Sequence, residues 1–296
     1  MLQTSQKINL REERDFSEKL NATFRFIKLN FRPLLRVLLL YVTPVALTAG
    51  ILSGLYQARL FRTLGSDKPY STLGEYSFFN QVTSLHYLLT LFFMFLGYVL
   101  VCLTVYGFMV VYMDEETPVQ PAAVWAHVKQ NLVQALYSSI ALAVVSFLGI
   151  FLLGLGLYLG VVFSLFLIVM VREETGFVET LERCFHLIKG NWWATFGLLL
   201  MVGLIQGVFT WLTALPVGVV TLMRMFQIPG AESDLLLVVA SAISSVLGIY
   251  IYSLSAIALA FQYFNLVEQK DGLGLLTQVD MIGRRDLNAT ANEGEF

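Results

Sequence analysis

"CFHLIKGNWWATFGLLL", residues Cys184 to Leu200, passes from a charged helical pattern into an unbroken apolar run. Lys189, Gly190, Asn191, Trp192 and Trp193 stand at the join. Far upstream, "TFRFIKLNFRPLLRVLLL" (Thr23 to Leu40) repeats the arrangement. Such a junction suits a chain that lies along a membrane surface and then turns across it. Its apolar helix face rests in the headgroup layer, its lysine snorkels toward water, and its tryptophans sit at the interface.

The composition agrees. Of 296 residues, 57% are hydrophobic and only 14% charged, against about a quarter charged in soluble domains. The charges are also clustered. None occurs between Arg36 and Arg59, Glu75 and Asp114, Lys129 and Arg172, Lys189 and Arg224, or Asp234 and Glu268. About 20 apolar residues span a ~30 Å hydrocarbon core. Four of these gaps hold one crossing each, and the gap from Lys129 to Arg172 holds two, parted by "GLGLYLG" (Gly154 to Gly160). The runs are continuously apolar, not alternating, so helices are expected and a barrel is not. Six spans follow, at about 37–58, 87–113, 133–152, 155–171, 192–223 and 235–267.

The first 33 residues are polar, so no cleavable signal peptide is expected and the first span acts as the membrane signal. Six spans put both termini on one side. That side carries most of the Lys and Arg, while the other holds only Arg59, Arg62, Lys68 and Arg224. The positive-inside rule makes the terminus side cytoplasmic. The expected localisation is therefore a cytoplasmic (inner) membrane, multi-pass.

The junction recurs as part of a larger unit. At an offset of 161 residues, Phe16, Glu18, Leu20, Phe24, Ile27, Lys28 and Asn30 fall on Phe177, Glu179, Leu181, Phe185, Ile188, Lys189 and Asn191. The apolar members step by 4, 4 and 3, one face of a helix. Asp15 with Glu18 fits a capping box, and Gly176 with Glu179 a weaker one. A fainter third copy, "WAHVKQNL" (Trp125 to Leu132), sets Lys129 and Asn131 in register, with Thr117 as N-cap and Pro118 first in the helix. The expected fold is an all-α membrane protein of three repeats, each an amphipathic interfacial helix plus a transmembrane hairpin. The chain then divides into an N-terminal segment 1–14, repeats at 15–113, 114–171 and 172–267, and a cytoplasmic tail 268–296.

Chemistry is harder to find. The histidines His86, His127 and His186 are isolated, and Cys102 and Cys184 form neither a disulfide framework nor a metal pattern. The pairs Glu115–Glu116 and Glu173–Glu174 read as helix-boundary charges. No Asp, Glu, Lys or Arg lies inside a span, which argues against a proton-coupled pump. The candidate intramembrane polar contacts are Gln206, Ser244, Ser245 and Gln262, with the two glutamines expected to face other helices. Gly50 with Gly54, Gly156 with Gly160, and Gly203 with Gly207 are close-packing pairs, within the chain or between copies. Pro44 and Pro216 are expected to kink spans one and five.

"ETLERCFHLIKGNWWATFGLLL" and "DFSEKLNATFRFIKLNFRPLLRVLLL" resemble a broad group of bacterial six-span proteins, which includes the membrane domain found with some glycerophosphodiester phosphodiesterases. The resemblance implies a bacterial cytoplasmic-membrane protein. The catalytic barrel and its metal-binding motifs are missing, so no catalytic residue carries over.

The expectation is a non-enzymatic scaffold or accessory subunit. Its interfacial elbows, Lys28, Asn30, Lys129, Asn131, Lys189, Asn191, Trp192 and Trp193, would meet membrane lipids, including anionic headgroups. Partners could include a second copy or another membrane protein; nucleic acid, metal and cofactor are not expected. The alternative is a transporter or channel for a small neutral or amphipathic solute, marked by a polar cavity reaching Gln206 and Ser244.

Overall fold

The computed structural model describes residues 7–64, 83–114, 119–150 and 155–272. They form helices α1 (Phe16–Tyr41), α2 (Thr43–Leu64), α3 (Leu85–Asp114), α4 (Pro121–Ile150), α5 (Leu155–Phe163), α6 (Phe166–Glu173), α7 (Phe177–Ile188), α8 (Trp192–Met225) and α9 (Asp234–Asp271). The fold is all-α and multi-pass. Five helices, with α5 and α6 taken as one, are long and apolar enough to cross a membrane; the bent pair α1–α2 makes six. Thr117, Pro118, Glu115, Glu116 and most of the expected outer segment and tail lie outside the described residues.

α9 is the axis of the molecule. From Ala256 to Glu268 every residue is buried, which only a helix packed on all sides can achieve. α2 packs against its other half through glycines. A Cβ added at Gly50 would come within 2.5 Å of the Ala242 Cα, and one at Gly54 within 2.6 Å of the Val238 Cα. The small residues of this pair therefore join helices of one chain. α8 follows α9 for its whole length, from Thr195 beside Gln262 to Arg224 beside Asp234. At 34 and 38 residues, α8 and α9 reach about 51 and 57 Å, so their ends project beyond a ~30 Å core. At that far end Arg62 and Arg224 both pair with Asp234.

The interfacial helices have local causes. The Asp15 and Gly176 backbone N–H groups each donate to a glutamate three residues on, Glu18 and Glu179, at 2.9 Å. In α1 the buried face is Lys19, Thr23 and Phe26; in α7 it is Thr180, Cys184 and Leu187, the same positions at the 161-residue offset. Asn30 leaves helical geometry at φ −107°, ψ 16°, and Asn191 sits at φ −117°, ψ 15°. Pro33 explains the first break, because it supplies no N–H to the Leu29 carbonyl. At Gly190, φ is +86°, which favours glycine.

Several boundaries differ from expectation. α1 continues to Tyr41, past the expected start of span one at 37, and the 58° bend to α2 comes at Val42. Pro44 causes it, as its ring excludes the Leu40 carbonyl from the next helical bond. Pro216 lies within α8, which continues beyond it to Met225. Asn131 breaks nothing: α4 is one helix from Pro121 to Ile150, and the Asn131 amide donates to the His127 carbonyl at 2.9 Å. Gly156 and Gly160 are helical in α5 rather than in a turn.

Candidate functional site

Between α8 and the α4–α5–α6 hairpin lies a cavity of about 690 Å³. Its floor is Cys102 and Tyr106 of α3, Phe166 of α6 and Leu259 of α9, all buried. Gln206 and Ser255 form a hydrogen-bonded pair on its α8–α9 wall, with Tyr252 beside them. Ser139 and Ser146 of α4 and Ser164, at the irregular joint between α5 and α6, face them across the space. Ala143, Gly160, Gly203, Thr210 and Trp211 form an exposed rim, Trp211 at 82%. The lining holds hydroxyls, one amide and apolar groups, but no Asp, Glu, Lys, Arg or His. A pocket of this kind can hydrogen-bond a neutral polar group within an apolar setting; an ion there would lack a counter-charge.

Three glycines border this space. A Cβ built at Gly160, Gly203 or Gly207 meets nothing within 4 Å. They are open wall, whereas Gly156, in contact with the Ser146 carbonyl and Ile150, closes the hairpin.

Two turns along α9, the second glutamine does different work. Gln262 is fully buried; its Oε1 accepts from the Lys19 ammonium at 2.9 Å, and its amide donates to Thr195 Oγ1 at 2.8 Å. Nearby, the Arg14 N–H donates to Asn265 Oδ1 at 2.7 Å, and the Tyr112 hydroxyl accepts from the Ile8 N–H at 2.9 Å. Residues 7–14 of the expected N-terminal segment are thus docked on α9 and α3. Burial, only partly offset by Asp15 and Glu13, lowers the Lys19 pKa. Arg183 joins the same end of the molecule to Glu173 and Asp271. Partial burial works to lower its pKa, but hydrogen bonds to Asp271 and Glu173 outweigh that and hold it above the ordinary value. Glu173 also accepts from the Tyr263 hydroxyl at 2.9 Å, so the one described acidic pair is tied into structure.

Of the expected contacts, Gln206 and Gln262 both face other helices. Ser245 approaches Met94 Sδ at 4.0 Å, beside Gly50 on the α2 side, and the Ser244 hydroxyl is buried with no partner among the described residues. Neither serine lines the cavity. Lys28, Lys129 and Lys189 are exposed. Trp192 donates its indole N–H to the Tyr158 carbonyl at 3.3 Å and stacks on Phe196, while Trp193 is 77% exposed. Lys19, Ser164 and Tyr252 escaped the sequence reading. Lys19 looks like any surface lysine, and only the gap at Gly160 and Gly203 marks the wall that Ser164 and Tyr252 complete. Among the described residues no group of three His, Cys, Asp or Glu could hold a metal.

Residues 33–264 match a family described as a domain of unknown function (DUF7847). The chain belongs to that family. The match covers α2 to α8 entire and all but the last turns of α9, so both cavity walls lie within the family domain. No curated protein and no solved structure matches the chain.

Proposed function

We propose that this protein is a non-enzymatic membrane protein that takes up a neutral amphipathic molecule in the cavity beside Gln206, for transport or for presentation to a partner. The observation that carries this reading is the cavity's chemistry: hydroxyls and an amide, uncharged, with an exposed rim in apolar helices. A purely structural scaffold has no use for an uncharged space lined by hydroxyls and an amide. The transport alternative is therefore preferred to the scaffold.

The exposed basic and aromatic residues complete the reading. Lys28, Lys129 and Lys189 with Trp192 and Trp193 hold the terminus side against anionic headgroups of a bacterial inner membrane, both termini cytoplasmic. Matched caps, buried faces and asparagine geometry in α1 and α7 support an internal repeat of these two helices; the three-fold version adds α4 as a copy without an elbow. The resemblance to the membrane domain found with glycerophosphodiester phosphodiesterases is in keeping with a lipid-related role and brings none of that enzyme's chemistry.

The test fills the space. Gly160→Leu with Gly203→Leu puts side chains where no atom stands within 4 Å, and leucine favours helix over glycine. Native mass spectrometry of purified protein should show a bound apolar molecule in the parent and its loss in the double variant, at unchanged thermal stability. Equal occupancy in both would sink the proposal.

A further inference from the structure

We infer that the guest is an uncharged acyl amphiphile that enters sideways from the leaflet on the side of the termini, because the α4–α5–α6 hairpin is re-entrant. This rests on the binding reading above and adds the ligand class and its route.

The position of the hairpin's tip decides the route. Tyr158, in the first turn of α5, is hydrogen-bonded to Trp192, the first residue of α8. Arg224, at the other end of α8, pairs with Asp234. Those two α8 residues are 32 apart in one continuous helix, about 48 Å at 1.5 Å per residue. Both feet of the hairpin stand at the Trp192 end too. Glu173 accepts from Tyr263, next to the Gln262 that binds Thr195, and Arg172 pairs with Asp114 at the end of α3. At the other foot, Val124 and His127 pack on Gly107, in the last turns of α3. A hairpin that crossed the ~30 Å core would carry its tip about 20 residues along α8 from Trp192, to the neighbourhood of Trp211. Here foot, tip and foot share one end, so α2, α3, α8 and α9 make the crossings. Four crossings keep both termini together.

A groove follows from this placement. Phe147, Ile150 and Leu157 meet Phe196 and Leu200 around a second cavity of about 640 Å³. It shares Ala143, Ser146, Gly160 and Leu199 with the first. Together they run along α8 from Phe196 to Trp211, about 22 Å, which exceeds the ~15 Å of one leaflet. Neither cavity has a charged lining residue. An acyl chain fills the apolar part, and a hydroxyl or ester reaches Gln206 and Ser255. A phosphate there would be a buried, unpaired charge.

Two measurements test it on the full-length protein. The wild-type cysteines are buried, so wild type is the blank for a membrane-impermeant maleimide. Ile150→Cys and Leu155→Cys should label from the side that labels Glu12→Cys, or from neither side. Labelling from the side that reaches Gln227→Cys overturns the re-entrant hairpin and the route, while leaving the binding proposal intact. Next, protein in phosphatidylethanolamine–phosphatidylglycerol vesicles is photolabelled with a diazirine monoacylglycerol or a diazirine phosphatidylglycerol. The neutral probe should label α8 peptides about fivefold more than the anionic one, the worth of a hydrogen bond against an unpaired charge, and the Gly160→Leu/Gly203→Leu protein should lose that labelling. Equal labelling by both probes overturns the ligand class. No effect of the glycine variants on either probe overturns the binding reading itself.

Discussion

Lys19 is the residue whose surroundings changed its meaning. On sequence it belongs to the water-facing side of an amphipathic helix. In the fold it is buried, with Gln262 as its acceptor. Gln262→Leu should therefore cost about 1–3 kcal/mol or more, because it strands a buried ammonium and leaves Thr195 without its donor. The loss should be read as thermal unfolding in detergent. Its pH dependence has a fixed sign. The folded pKa of Lys19 lies below the ordinary 10.5, so the unfolded chain binds more protons in the window just under that value. Stability from this group rises with pH through that window, and the Gln262→Leu defect should shrink there. Cys184 offers a simpler test. Burial, helped by Glu173, pushes its thiol up to about 12, so iodoacetamide at pH 8 should modify it only after denaturation.

Among the helices, the glycines separate into two kinds, and substitution should tell them apart. Gly50→Leu drives a side chain into the α9 backbone at Ala242 and should destabilise by about 1–3 kcal/mol. Gly203→Leu enters open space and should leave the melting temperature unchanged or slightly higher, as fluorescence-detected size exclusion after heating would report. The same scale explains which elbows were legible. "K-x-N" occurs at Asn30, Asn131 and Asn191, yet the chain leaves helical geometry only at the first and third. Pro33 follows Asn30 and Gly190 precedes Asn191, while nothing near Asn131 removes a helical hydrogen bond or frees φ. The motif marks position; the neighbouring proline or glycine makes the turn. Caps at Glu18 and Glu179 could be read directly, because such bonds close within three residues.

For the molecule as a whole, the two ends differ in charge and in packing. The terminus side gathers the basic elbows and the docked segment from Lys7 to Asp15. At the far end Arg62 and Arg224 pair with Asp234, and Arg224 also donates to the Ala231, Glu232 and Ser233 carbonyls. Lys28→Glu with Lys189→Glu should weaken binding to phosphatidylglycerol vesicles at low salt, with less effect on neutral ones; unchanged retention in a flotation assay would reject an anionic-lipid role for these lysines. Membrane class and helical content were settled by composition, since no soluble fold tolerates charge-free runs of this length and no backbone can cross lipid without internal hydrogen bonds. Local events, caps and proline breaks, were likewise written in the sequence, because their causes sit within a turn of their effects. Tertiary structure alone decided that Lys19 is buried, that Gly203 faces a void where Gly50 faces a helix, and that Tyr158 stands beside Trp192. Each depends on which distant segment stands alongside, and an apolar run looks the same whether it faces lipid, another helix or a cavity.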